Sequence, residues 1–253
     1  MPLIRNVKES LFVVLLLAFA ILLWQIVSTI GLIPPFLIPS PILIAKELLN
    51  PSIDWPKHLL ATTRSVLLGF GFGALGGLAL AFLATTSSLL RRILLPFLVG
   101  IEALPKIAIA PVLYILLGFN DLARIVLIFF LTFFPIVIAT ATGLADVDQN
   151  LVYLLRSLGA NETKIFYKVR LPNSLPHMFD GFRLAAVAAV AGAVIAEFIS
   201  SSAGLGFLII NAQNIFDTRL AFAAFTLLSV LGLLLYGLVE VAARLTMPWF
   251  RKK

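Results

Sequence analysis

The chain alternates long apolar runs with short stretches that hold most of its charge. Leu11–Ile30 carries no ionisable side chain, and further apolar runs cover approximately 60–86, 93–118, 124–143, 182–200 and 221–245. A helix needs about 20 apolar residues to cross the hydrocarbon of a bilayer. No water is present there to satisfy open backbone groups, so a run of that length closes its own hydrogen bonds. The pattern predicts an all-α, polytopic membrane helix bundle of six transmembrane helices, with the first over residues 10–30, in a single domain spanning 1–253. The first run follows Arg5 and Lys8 as a signal peptide would. It exceeds the 7–15-residue apolar region of such peptides, and more runs follow, so an uncleaved first span is expected.

Two polar stretches carry local signals. After the first run come Pro34, Pro35, Pro39 and Pro41. Ser40 suits a helix N-cap and Pro41 the first helical position, so Pro41–Leu49 is expected to lie as a short helix on the membrane surface. The stretch 144–181 is too polar to span and too long for a turn. Within it, Leu151–Leu158 reads as a helix ended by Gly159 in a left-handed conformation. Asn161 caps a second short helix, with Glu162 in its first turn and Ile165, Phe166 and Val169 on one face. That helix is expected to stop before Pro172, since a residue preceding proline avoids helical geometry. The product is a helix–Gly–helix knob.

Composition sharpens this picture. The chain is 61% hydrophobic and 12% charged, about half the charge of a soluble domain. Its net charge of +7 would suggest nucleic acid in a soluble protein, but here the basic residues sit between apolar runs and report orientation. If both termini are cytoplasmic, the inner segments hold Arg5, Lys8, Arg91, Arg92, Arg156, Lys164, Lys168, Arg170, Arg183, Arg244, Arg251, Lys252 and Lys253. The outer segments hold only Lys46, Lys57, Arg64, Arg124 and Arg219, and Lys106 falls within the third run. The excess predicts a multi-pass membrane protein with both termini on the cytoplasmic side.

Several chemistries are excluded or made improbable by inventory. There is no cysteine, and the only histidines, His58 and His177, are far apart in sequence. Disulfides and thiolate sites are therefore absent, and no metal site is expected. Gly71, Gly73 and Gly76 spell a dinucleotide-type glycine pattern, but inside an apolar run rather than between a strand and a helix. Asn161-Glu162-Thr163 matches a glycosylation acceptor on the side predicted to be inside. No P-loop sequence occurs, so any ATP must be bound by another subunit. No catalytic pair lies within the runs, so the chain is not expected to be an enzyme.

Small residues repeat at spacing four: Gly69, Gly73, Gly77 and Ala81 in the second run, and Ala185, Ala189 and Ala193 beside Ala188, Gly192 and Ala196 in the fifth. Such faces let helix backbones approach closely, as ordinary packing or as part of a gate. Three ionisable residues are candidates for a translocation path. Glu102 and Lys106 stand four apart around Pro105, either facing a cavity or pairing near the interface with Lys106 snorkelling. Glu197 closes the fifth run, either at an outer mouth or at headgroup level.

The knob also resembles a known element. Arg156-Ser157-Leu158-Gly159-Ala160, with Val169 and then Leu171-Pro172, resembles the EAA loop of ABC importer permeases. The Glu-Ala-Ala itself is replaced by Tyr153-Leu154-Leu155. Phe36-Leu37-Ile38-Pro39-Ser40-Pro41, the spacing of Pro105, Ala108, Pro111 and Gly118, and Glu197 followed by Gly204-Leu205-Gly206 resemble the nitrate/sulfonate/taurine branch of that family. The resemblance covers nearly the whole chain in order. It implies a type I importer permease fold, a second permease copy, a cytoplasmic ATPase dimer that holds the ATP and grips Arg156–Ala160 and Leu171–Pro172, and an external substrate-binding protein. It implies a cargo among sulfonate-, nitrate- or taurine-like anions or thiamine-precursor- and riboflavin-like compounds. The alternative is a secondary transporter or channel without an ATPase. That class often shows inverted repeats and mid-membrane charges; no repeat is evident here, and such charges are few.

Overall fold

The structure is a computed structural model that describes residues 2–32, 34–85, 93, 96–98, 100–101 and 105–248, with backbone only at 2–10, 85 and 106. The described residues are helical with no strand. In chain order the helices are α1 (Pro2–Thr29), α2 (Pro41–Leu48), α3 (Trp55–Thr85), α4 (Lys106–Leu117), α5 (Asp121–Ala145), α6 (Gln149–Ser157), α7 (Glu162–Ile165), α8 (Leu171–Ile199), α9 (Leu205–Asn214) and α10 (Thr218–Thr246), with a π-helical turn at Phe166–Arg170 joining α7 to α8.

Helix α5 is the centre of the bundle. Ile128, Ile136 and Val137 on it are fully buried. Helix α3 meets it through the small face read from the sequence. A Cβ added at Gly69 would stand 2.5 Å from Ile128, one at Gly73 2.0 Å from Thr132 Oγ1, and one at Gly77 3.0 Å from Ile136. Both partners advance by four residues, so the i±4 rows of the two helices interdigitate. At the centre of the seam Thr132 Oγ1 donates within α5 to the carbonyl of Ile128 at 2.9 Å and lies 3.3 Å from the Gly69 carbonyl. Helix α8 closes on another side of α5. There Gly181 would bring a Cβ to 2.8 Å from Ala139, and Gly192 one to 2.6 Å from Leu131.

Helix α10 covers α8 and α9. Leu231, Leu235, Val239 and Ala243 pack with Phe179, Ala186, Ala189 and Ala193, while Leu220, Ala224 and Leu228 pack with Leu205, Leu208 and Ala212. Arg183 of α8 sends Nε and Nη2 to Glu240 of α10 at 3.1 and 2.8 Å. Helix α1 stands apart, with Leu11, Phe12, Leu16, Phe19 and Leu22 all more than half exposed. It is tied in near its end, where Gln25 Oε1 accepts from the N–H of Ile42. Large apolar side chains also face outward on α3, α4 and α10. Such a belt is the surface a bilayer requires and water does not tolerate.

Among the described residues five helices are long and apolar enough to cross a membrane: Leu11–Thr29, Trp55–Ala84, Asp121–Ala145, Glu162–Ile199 and Thr218–Thr246. Of the third expected span only the second part is fully described, as α4, which starts after a non-helical Pro105 (φ −70°, ψ 84°). The surface helix forms as expected, with Ser40 Oγ accepting from the Leu43 N–H.

One expectation is corrected, and one helix is added. The second knob helix does not stop before Pro172. Helix, π-turn and α8 run on from Glu162 to Ile199. Leu171 stays helical (φ −64°, ψ −50°) and donates to the carbonyl of Phe166, five residues back. The wider π ring eases the crowding that a proline ring imposes one turn upstream, so the chain passes Pro172 without leaving helical geometry. The loop after the fifth span also holds a helix, α9. Leu205, Leu208 and Ala212 on it are buried, a short amphipathic pattern hidden between two longer apolar runs.

The seam between α3 and α5 makes a sharp prediction. Gly73→Ala, which places a methyl group against Thr132, should destabilise the protein by about 1–3 kcal/mol through overpacking. Gly71→Ala, where a Cβ meets nothing within 4 Å, should be neutral or stabilising by up to about 1 kcal/mol. Thermal unfolding in detergent checks both, and equal stability of the two variants would show that the seam is not close-packed.

Candidate functional site

The knob is built by its own caps. Asp148 accepts from the N–H of Asn150 at 2.9 Å and opens α6. At the far end Gly159 lies at φ +80°. Its N–H donates to the Arg156 carbonyl at 3.0 Å, and the Ala160 N–H to the Leu155 carbonyl at 2.9 Å. This pair of bonds is the Schellman closure, in which glycine at the left-handed position avoids the cost of a Cβ. Asn161 Oδ1 then accepts from the Lys164 N–H at 2.9 Å to open α7.

Across the turn Arg156 donates Nε and Nη2 to Glu162 Oε1 at 2.9 and 2.7 Å. Arg170 Nη2 approaches Glu162 Oε2 at 4.0 Å. An exposed ion pair contributes about 0.2–1 kcal/mol, so its main effect is to fix the angle between α6 and α7. Val152 and Ile165 are buried beneath the turn, and Phe166 meets the ring of Phe82 edge-on at 5.8 Å. Outward stand Leu151, Tyr153, Leu154, Leu158 and Tyr167, all exposed. Leu151, Leu154 and Leu158 follow helical spacing and form an uncovered apolar face.

The sequence candidates therefore divide. Arg156, Ser157, Leu158, Gly159 and Ala160 form the tip. Leu171 and Pro172 lie at its base, where the π-turn enters α8. The base is fastened to α5 by Asn173, whose Nδ2 donates to the carbonyl of Asp146, and by His177 Nε2 at 3.6 Å from Asp146.

At the other end of α8, about 40 Å away at 1.5 Å per residue, Glu197 is 1% exposed. Its Oε1 accepts from Thr62 Oγ1 of α3 at 2.8 Å, and its Oε2 from the N–H of Gly206 at 2.7 Å. Thr62 in turn accepts from the Leu205 N–H at 2.8 Å. The carboxylate thus satisfies the N-terminus of α9, where open N–H groups favour negative charge. It occupies the space a side chain at 204 would need, since a Cβ on Gly204 would lie 2.3 Å from its Cδ. His58 Nδ1 lies 3.1 Å from the Gly204 nitrogen, and its ring stacks on Phe207. Arg124 bridges nearby to Asp121 at 3.2 Å and to Ser201 Oγ at 3.3 Å. Tyr114 donates to the Ala196 carbonyl at 2.7 Å.

Glu197, His58, Thr62 and Arg124 thus form one polar knot joining α3, α5, α8 and α9. Sequence reading singled out only Glu197. A signal for the others was present: a histidine, a threonine and an arginine placed within or at the edge of apolar runs. Of the remaining candidates, Glu102 lies outside the described residues, and Lys106 is the first residue of α4. Among the described residues no group of His, Cys, Asp and Glu could hold a metal ion.

The chain is thus a polytopic bundle of long apolar helices with a capped helix–glycine–helix knob at one end and a buried polar knot at the other. Residues 73–251 match the family described as binding-protein-dependent transport system inner membrane component. A probable ABC transporter permease protein of Haemophilus influenzae is 35% identical over 94% of this chain and 95% of its own length. The formylaminopyrimidine transport permease protein ThiX of Halalkalibacterium halodurans is 29% identical, covering 98% of each chain. A structure of the MetNI methionine ABC transporter in an inward-facing conformation has a TM-score of 0.62 at 18% identity, covering 77% of this chain and 98% of that one; it shares the type I importer fold. The chain belongs to the family of binding-protein-dependent transport system inner membrane components, as a multi-pass ABC importer permease.

The knot predicts a strict need for two acceptors at position 197. Glu197→Gln retains the shape but offers one acceptor oxygen in place of two, leaving a buried donor without a partner at a cost of about 1–3 kcal/mol. Thr62→Val should cost a similar amount, because it uncouples both the Leu205 N–H and Glu197 Oε1. Thermal unfolding of the purified protein should fall in both variants; parent-like melting would show that the carboxylate is dispensable to the junction.

Proposed function

We propose that this permease is driven by a separate cytoplasmic ABC ATPase gripping the knob at Arg156–Ala160, with Leu171–Pro172 at its base as the hinge into α8. Both termini and the knob then face the cytoplasm, in keeping with the excess of basic residues on that side. Two copies of the chain enclose the path, and an external binding protein supplies the cargo. ATP stays on the partner, a reading that the lack of a P-loop supports. The cargo is a small solute, either a sulfonate-, nitrate- or taurine-like anion or a thiamine-precursor- or riboflavin-like compound. The matches to the branch motifs support the first and the likeness to a formylaminopyrimidine permease the second. Glu102 and Lys106, beside Pro105, are the polar candidates for the path. Glu197 serves it indirectly, by fixing the junction at the outer end.

The observation that carries this reading is the fixed geometry of the turn at Gly159. A lever needs a rigid tip, and the left-handed glycine with the Arg156–Glu162 pair provides one. The continuous helix from Glu162 to Ile199 would pass a displacement of the tip straight into α8, and through the glycine contacts into α5 and α3.

Gly159→Val places a β-branched residue in the left-handed region, a strain of roughly 1–3 kcal/mol. It should leave membrane insertion and assembly near normal, while ATPase co-purification and substrate uptake fall at least tenfold. Lys164→Ala, which removes one exposed charge, should change either by less than about twofold. Parent-like uptake by Gly159→Val would show that the knob is not the coupling element.

A further inference from the structure

The start of α9 is held by side chains from other helices. A helix start leaves its first N–H groups open, and Gly204 has no side chain to meet them. The Leu205 N–H goes to Thr62 and the Gly206 N–H to Glu197. The Gly204 N–H goes to Nδ1 of His58 at 3.1 Å. That same ring nitrogen lies 3.2 Å from the Gly204 carbonyl. It cannot serve both groups at once. Bare, it accepts from the N–H; carrying a proton, it can only donate to the carbonyl. The carbonyl already accepts the Leu208 N–H at 3.2 Å, so the N–H is the group that depends on the ring. The ring is buried and lies flat on Phe207, with 5.8 Å between centroids and 5° between planes.

From this we infer that His58 is a proton-operated latch on α9: the neutral ring holds the helix start, and protonation releases the Gly204 N–H. An imidazolium would also set positive charge against a helix N-terminus, where it is unfavourable. The surrounding charges do little to shelter it. Asp54 and Lys57, one turn before His58, are exposed and opposite in sign, and Asp54 Oδ1 accepts from the Lys57 N–H at 3.1 Å. Glu197 of α8 has its two oxygens engaged by Thr62 and Gly206. Helix α5 brings Arg124 to the knot, a charge of the same sign, and at the start of α10 Asp217 and Arg219 pair with each other at 3.6 Å. Helix α9 carries no ionisable residue. Histidine changes charge between about pH 5 and 8. The latch therefore holds at neutral pH and weakens as pH falls through that range. It stands on this geometry; only the side it faces, the external one, rests on the importer reading above.

The chain has only two histidines, so His177→Asn leaves His58 as the one imidazole. The purified full chain in lipid nanodiscs is melted at about pH 7.5 and about pH 5.5, on either side of the histidine midpoint. The parent should lose about 3 °C or more of melting temperature on acidification, and His177→Asn should lose at least as much. His58→Asn offers Oδ1 to the Gly204 N–H at either pH and should lose at most about half of that. A parent that melts alike at both pH values overturns the latch. So does a His58→Asn variant with the parent's full loss, since another group, Glu197 foremost, would then carry it. If His58→Asn does not fold, the ¹⁵N spectrum of ring-labelled His177→Asn decides. Nδ1 of His58 should be bare at the higher pH and protonated at the lower. A protonated Nδ1 at the higher pH, or a bare one at both, overturns the latch. Neither result touches the knob, whose own test is uptake by Gly159→Val.

Discussion

Everything in this structure depends on how closely three helix backbones approach one another. In a bilayer, apolar area gives no net drive for helices to associate, because lipid is as apolar as leucine. Cohesion has to come from contact distance. Glycines at 69, 73 and 77 let α3 lie against Ile128, Thr132 and Ile136, and Gly181 and Gly192 do the same for α8 against α5. At the centre of the seam sits a threonine hydroxyl bonded within its own helix rather than a side chain that would hold the helices apart. The three helices therefore pack as one body.

The two ends of α8 are finished differently. At the knob, caps, a left-handed glycine and an ion pair set a rigid turn on a continuous helix. The π-turn between them lets that helix pass Pro172. At the far end a buried carboxylate ties α8 to α3 and to the start of α9. A buried charge is tolerable only when its lone pairs are met, and here a hydroxyl and a backbone N–H meet them. The junction is thus fixed by directional bonds where the knob is fixed by backbone conformation.

Much of this was legible in the sequence because membrane spans and caps are local signals. Run length located the five long apolar helices found among the described residues, spacing four located the α3 seam, and Ser40, Gly159 and Asn161 marked caps that form as expected. The rest required contacts distant in sequence. Pro172 marks a helix boundary by sequence rules, and the π-turn that lets the helix pass it carries no sequence signal of its own. Helix α9 was hidden because no capping side chain opens it at Gly204, whereas Ser40 announces the shorter α2. The partners of Glu197 lie 135 residues away on α3 and nine residues ahead, and only the fold brings them to one point.

Coupling to an ATPase through the knob needs the knob on the side of the membrane where ATP is. The chain has no cysteine, so single cysteines report sidedness directly. Ala160→Cys and Asn50→Cys variants, probed with a membrane-impermeant maleimide, should label oppositely: residue 160 only in inside-out vesicles, residue 50 only in right-side-out ones. Labelling of residue 160 from the outside would contradict the account, since a knob on that face could not meet a cytoplasmic ATPase.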